Sequence, residues 1–132
     1  MKVLIVEDDF TARLVLQQFL KDYGPSHVAV DGAEAVAAFK TALAEGQPYD
    51  LICLDIMMPG VDGQQALKEI RAHEEANGIL SSDGVKVIMT TALDDLKSVS
   101  RAYNELCDGY LVKPVGKAEL LDEVRRLGLI PS

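Results

Sequence analysis

The chain reads as an α/β protein: a doubly wound, five-stranded parallel sheet in a (βα)5 arrangement. Five short apolar runs, at residues 3–6, 27–30, 51–54, 85–89 and 110–112, recur along it. Three of them are almost continuously apolar, as parallel strands covered on both faces must be. Patterns of helical period separate the runs, and turn-forming residues fall at the joints.

Taken in order, the first strand is followed by Ala12, Val15, Leu16 and Phe19, an i, i+3, i+4, i+7 stripe that predicts an amphipathic helix. Gly24-Pro25 punctuates the chain before the second run, the shortest and weakest, which belongs at or near an edge. Val36, Phe39 and Leu43 mark the second helix, Ala66, Leu67 and Ile70 the third, and Leu96, Val99, Ala102 and Leu106 the fourth. Leu120, Leu121, Val124 and Leu127 mark the fifth. The polar stretch 74–84 is expected to form a surface extension before the fourth strand. Five consecutive βα units imply right-handed crossovers that lay helices on both faces.

At 132 residues the chain can bury one core, and 48% hydrophobic with 26% charged residues is an ordinary globular mix. The formal net charge of −8, without a basic run, argues against direct nucleic-acid contact, which rests on Lys and Arg neutralising phosphates. It suits a hard cation or a basic partner, and equally a plain acidic surface. No apolar run is long enough to insert in a membrane. Glu7-Asp8-Asp9 also interrupts the apolar start too early for a signal peptide. Cys53 and Cys107 form neither a disulfide framework nor a metal pattern. A cytoplasmic location is expected.

Open parallel sheets bind ligands beyond the carboxyl ends of their strands. Here those ends carry Glu7, Asp8 and Asp9, then Asp55, then Thr90 and Thr91, and last Lys113-Pro114. Alone, Asp9 reads best as a cap for the helix that starts at Phe10. Asp8, Asp9 and Asp55 brought together would repel one another unless a cation neutralised them. Oxygen-only ligands in an open site favour Mg²⁺.

Four stretches carry a resemblance. They are Val3-Leu4-Ile5-Val6-Glu7-Asp8-Asp9, Leu54-Asp55-Ile56-Met57-Met58-Pro59-Gly60-Val61-Asp62-Gly63, Met89-Thr90-Thr91-Ala92 and Gly109-Tyr110-Leu111-Val112-Lys113-Pro114. Together they resemble the response-regulator receiver domain of two-component signalling, including its chemotaxis-type members. The resemblance spans residues 1–127, a single receiver domain, and leaves 128–132 as a short tail of a protein expected to stand alone. It implies the flavodoxin-like strand order 2-1-3-4-5. It also implies that Asp55 accepts a phosphoryl group from a phosphohistidine of a sensor kinase or phosphotransfer protein. Mg²⁺ would be held by Asp9 directly, by Asp8 through water, by Asp55, and by the main-chain carbonyl of Met57. Lys113, after a cis Lys-Pro bond, and Thr91 would contact the phosphoryl group.

By the same resemblance, Thr91 and Tyr110 form a switch. The fourth helix, fifth strand and fifth helix, with Lys97, Arg101, Tyr103 and Tyr110, would then present the output surface to a protein target. Met57 and Leu93 stand where chemotaxis-type members carry polar side chains, which predicts slow self-dephosphorylation. No turnover beyond the protein's own phosphorylation and dephosphorylation is expected, so it is not an enzyme in the ordinary sense. The alternative is a pseudo-receiver that binds its partner without phosphorylation. A phosphohydrolase would need an acid where Met57 stands.

Overall fold

The computed structural model describes residues 1–58, 60, 62–80, 82–92 and 106–131. The elements are β1 (Val3–Val6), α1 (Phe10–Leu20), a 3-10 turn at Lys21–Tyr23, β2 (Ser26–Ala29), α2 (Gly32–Ala44), β3 (Leu51–Asp55), α3 (Gly63–Ala76), β4 (Lys86–Thr91), β5 (Gly109–Val112) and α4 (Lys117–Arg126). All strands are parallel, in the order β2-β1-β3-β4-β5, as the sequence and its resemblance predict. The predicted helix marked by Leu96, Val99, Ala102 and Leu106 lies, Leu106 apart, outside the described residues, as do Leu93, Lys97, Arg101 and Tyr103.

Alternation along the central strands builds two cores. Leu4, Val6, Ile52, Leu54, Val87 and Met89 point to one face and pack with Phe39 of α2 and Leu67 and Ile70 of α3. Val3, Ile5, Leu51, Cys53 and Ile88 point to the other, against Leu16 and Leu20 of α1 and Leu120 and Val124 of α4. Each such side chain contributes about 1.5–3 kcal/mol on leaving water, so the paired faces set the register of the sheet. Burial pushes the Cys53 thiol up to about 12, which makes it a core residue and not a nucleophile.

The helices start where short acidic side chains stand before them. Asp9, Asp31 and Asp62 cap α1, α2 and α3, accepting hydrogen bonds from the amides of Thr11, Glu34 and Gln65. The second strand begins one residue earlier than the apolar run suggests. It stops at Ala29, and the next amide, Val30, donates to the Glu34 carboxylate of α2 at 3.3 Å. The fourth runs two residues further than its apolar run, through Thr90 and Thr91, both buried.

Two segments expected at the periphery are better anchored than the sequence suggests. Glu74, predicted within a surface extension, is 3% exposed. It accepts from Arg71 and from the Val85 amide, each at 2.8 Å. In the segment read as a tail, the Leu129 amide bonds to Val124, and Ile130 packs into the α1–α4 core. Among the described residues, no helix is long and apolar enough to cross a membrane.

Candidate functional site

The carboxyl ends of β1, β3, β4 and β5 meet at one rim. Asp55, the last residue of β3, is 3% exposed, so its carboxylate stands at the floor of the site with little water around it. Backbone bonds hold it there. The next amide, Ile56, donates to the Thr90 carbonyl of β4, and Gly63, opening α3, donates to the Ile56 carbonyl, both at 3.0 Å. A Cβ on Gly63 would fall 2.1 Å from the Asp55 carbonyl oxygen, so only glycine lets α3 begin this close to the acceptor.

Lys113 follows β5 and precedes a cis peptide bond to Pro114. Its amide donates to the Thr91 carbonyl at 2.7 Å, extending the β4–β5 pairing to the rim. Its ammonium lies 2.7 Å from Glu7 Oε1 and 3.1 Å from Asp55 Oδ1. Burial by itself would lower the Lys113 pKa. The hydrogen bond to Glu7 and the charge of Asp55 outweigh that, and the net shift is upward. Lys113 therefore stays cationic across the neutral range. Among the described residues, the contacts to the Asp55 carboxylate fall on Oδ1, from Lys113 and from the Met57 amide at 3.3 Å.

Oxygens of Glu7, Asp8 and Asp55 lie within 4.8 Å of one another. Opposite oxygens around Mg²⁺ stand about 4.2 Å apart, so a small contraction or a bridging water accommodates the ion. The donor set is all oxygen, with no His or Cys among its members, and it fits a hard cation. Asp8 is the exposed member, whereas Glu7 and Asp55 are buried.

This cluster is offset by one residue from the expected acid pair. Asp9 is not in it: its carboxylate Oδ1 is turned back to accept the Thr11 amide at 3.0 Å, the first cap of α1. Glu7, which sequence reasoning did not assign, takes the vacated place. Its amide continues the β1 ladder to Ala29, its side chain is 2% exposed, and it pairs with Lys113.

Of the other predicted residues, Thr91 is buried at the end of β4, and its hydroxyl donates to the Ala92 carbonyl at 3.1 Å. Tyr110 stands on β5, 46% exposed. Met57 follows the acceptor with its side chain 54% exposed. Beside the Lys113–Glu7 pair, a cavity of about 370 Å³ opens between Val15 and Leu16 of α1 and Val115.

The comparisons agree with this arrangement. Residues 3–125 match the family described as "Response regulator receiver domain". The probable transcriptional regulatory protein SilR of Salmonella typhimurium is 34% identical over 128 residues, which cover 96% of this chain and 50% of SilR. The chain thus spans about half the length of that relative. Among solved structures, one is the co-crystal of the Saccharomyces cerevisiae phosphotransfer protein Ypd1 with the receiver domain of its response regulator Ssk1. It is 32% identical with a TM-score of 0.81, covering 97% of this chain and 88% of that one. Another is the response regulator TrrA of Thermotoga maritima in complex with Mg²⁺-BeF. It is 30% identical with a TM-score of 0.75, covering 96% and 97%. A floor carboxylate, a neighbouring acid pair and a bridging lysine, on a 2-1-3-4-5 sheet matched over nearly its whole length, place this chain in the response-regulator receiver domain family, whose members are phospho-acceptor signalling domains.

Proposed function

We propose that this receiver takes a phosphoryl group onto Asp55 from the phosphohistidine of a sensor kinase or a histidine phosphotransfer protein. The observation that carries the reading is Asp55 itself, a buried carboxylate joined to Lys113 and clustered with Glu7 and Asp8. One Asp55 oxygen attacks phosphorus, the phosphorus–nitrogen bond of the donor breaks, and the imidazole leaves with the bonding electron pair and takes up a proton. Lys113 supplies a compact positive charge to the incoming phosphoryl oxygens as its pairing with the carboxylate loosens. Glu7, Asp8, Asp55 and the Met57 carbonyl would hold Mg²⁺, which when bound offsets the charge between nucleophile and phosphoryl group. Asp9 serves this site as the cap of α1.

Phe10, Leu14 and Met57 are exposed apolar side chains on α1 and beside the acceptor. A donor that brings its histidine to Asp55 covers them, and Ypd1 is a protein of that kind bound to a similar receiver domain. Phosphorylation gives the Thr91 hydroxyl an acceptor in place of the Ala92 carbonyl, and Tyr110 follows. The output is protein–protein contact through the surface that includes β5.

The test is incubation with a small-molecule phosphodonor and Mg²⁺, followed by intact mass. The wild type gains one phosphoryl mass and Asp55→Asn gains none. An unmodified wild type ends the proposal. The half-exposed Met57 cannot orient a hydrolytic water, so the acyl phosphate should be long-lived. Met57→Gln is expected to hydrolyse about tenfold faster, roughly 1.4 kcal/mol of barrier. Equal decay of the two proteins would show that Met57 is not what protects it.

A further inference from the structure

The loop that carries Glu7 and Asp8 is held from behind by a residue outside the acidic cluster. Arg13, one turn into α1, sends Nη1 back to the main-chain carbonyls of Glu7 at 3.2 Å and of Asp8 at 3.3 Å. Its guanidinium lies 5.5 Å from the centre of the exposed Phe10 ring. The same loop is tied at two further points. The Asp9 amide donates to Glu7 Oε2 at 3.4 Å, and the Asp9 carboxylate takes the Thr11 amide.

We infer that Arg13 is a positioning residue for the divalent-cation site, fixing the β1–α1 loop so that the Glu7 and Asp8 carboxylates face Asp55. This rests on the metal reading given above. Two consecutive carbonyls bonded to one nitrogen set the orientation of the peptide between them, and that peptide carries Asp8. Asp8 is the exposed member of the cluster and so the one most in need of outside support. Arg13 cannot act as a simple electrostatic helper, since its positive charge near the site opposes cation binding. Geometry and charge therefore predict opposite signs for its removal, and this makes the idea testable.

The experiment is MgCl2 titration, without phosphodonor, of the wild type, Arg13→Met, Arg13→Lys and Phe10→Ala, followed through the Asp8 and Asp9 amide resonances. Arg13→Met is expected to weaken Mg²⁺ binding about tenfold, in the range seen when partners outside the ligand shell are removed. Arg13→Lys keeps the charge on a shorter reach and should fall between Arg13→Met and wild type. Phe10→Ala frees the guanidinium on one side and should show a smaller loss than Arg13→Met. Phosphorylation of Arg13→Met should regain the wild-type rate once Mg²⁺ saturates, which a general loss of structure would not allow. Unchanged or tighter binding by Arg13→Met would overturn the inference in favour of a charge effect alone. Failure of the wild type to bind Mg²⁺ would instead overturn the metal reading, a separate result. If Arg13→Met proves unfolded by circular dichroism, the Arg13→Lys titration decides the matter: weakened binding sustains the inference and wild-type binding ends it.

Discussion

Replacing Arg71 with methionine is expected to cost the fold about 3–5 kcal/mol, the range for breaking a buried ion pair on one side. Arg71 sits on α3 at the end of the sheet away from the acceptor, with its side chain only 12% exposed. It binds Glu74 Oε1 and the Val85 carbonyl at 2.8 Å, the Leu106 carbonyl at 2.9 Å and Asp108 Oδ2 at 3.0 Å. Glu74 and Asp108 in turn accept the amides of Val85 and Val87. One guanidinium thereby joins α3 to both chain segments that lead into β4 and β5. Methionine fills the space but leaves two carboxylates without their cation, and domains of this size have only about 5–15 kcal/mol of stability to lose. Urea unfolding would read the change as a lower midpoint at constant slope. Adding Glu74→Gln to the variant should recover part of the loss, because the charge left unpaired is then gone. A single-variant loss below about 1 kcal/mol would mean that water already screens the network.

Lys113→Met is the second large effect, and its size should depend on Mg²⁺. Glu7 and Asp55 are both almost fully buried and share the Lys113 ammonium. Without it their charges face each other across a poorly hydrated floor. A stability loss of about 2 kcal/mol is expected at neutral pH in chelator, lower than for Arg71 because Lys113 is partly open to solvent. Millimolar Mg²⁺ should stabilise this variant more than the wild type, since the ion replaces the missing positive charge and binds only the folded chain. Thermal unfolding with and without MgCl2 measures the difference, and equal increments in the two proteins would refute it. In the wild type, folding raises the Lys113 pKa, so its contribution is complete below the ordinary lysine value of about 10.4. It is lost only as pH climbs through the raised folded value.

The legible parts of this protein were those with a short-range signature. β1 and β3 announce themselves because both faces are buried and every residue before Asp55 is apolar, whereas β4 shows itself through Val87, Ile88 and Met89 at its centre. β2, at the edge, has two half-buried positions and one exposed before Ala29, so the apolar run misplaces its start by one residue. Asp55 and Lys113 could be read because each follows a strand directly. The acid pair is harder to read, because three acids stand in a row. The signal that separates them is the start of α1: a helix beginning at Phe10 commits Asp9 to its first amides, which shifts the pair facing Asp55 to Glu7 and Asp8. The Arg71 network had no such signature, since its partners lie 3, 14, 35 and 37 residues away.

The bridge from Lys113 to Glu7 joins residues 106 positions apart. A nascent chain has its acids and its acceptor long before it has its cation. Every earlier length of polypeptide carries Asp55 among like charges, without the lysine that prepares it for a phosphoryl group. Competence to receive a signal therefore arrives only with the last strand, and the acceptor becomes chemically ready when the sheet is complete.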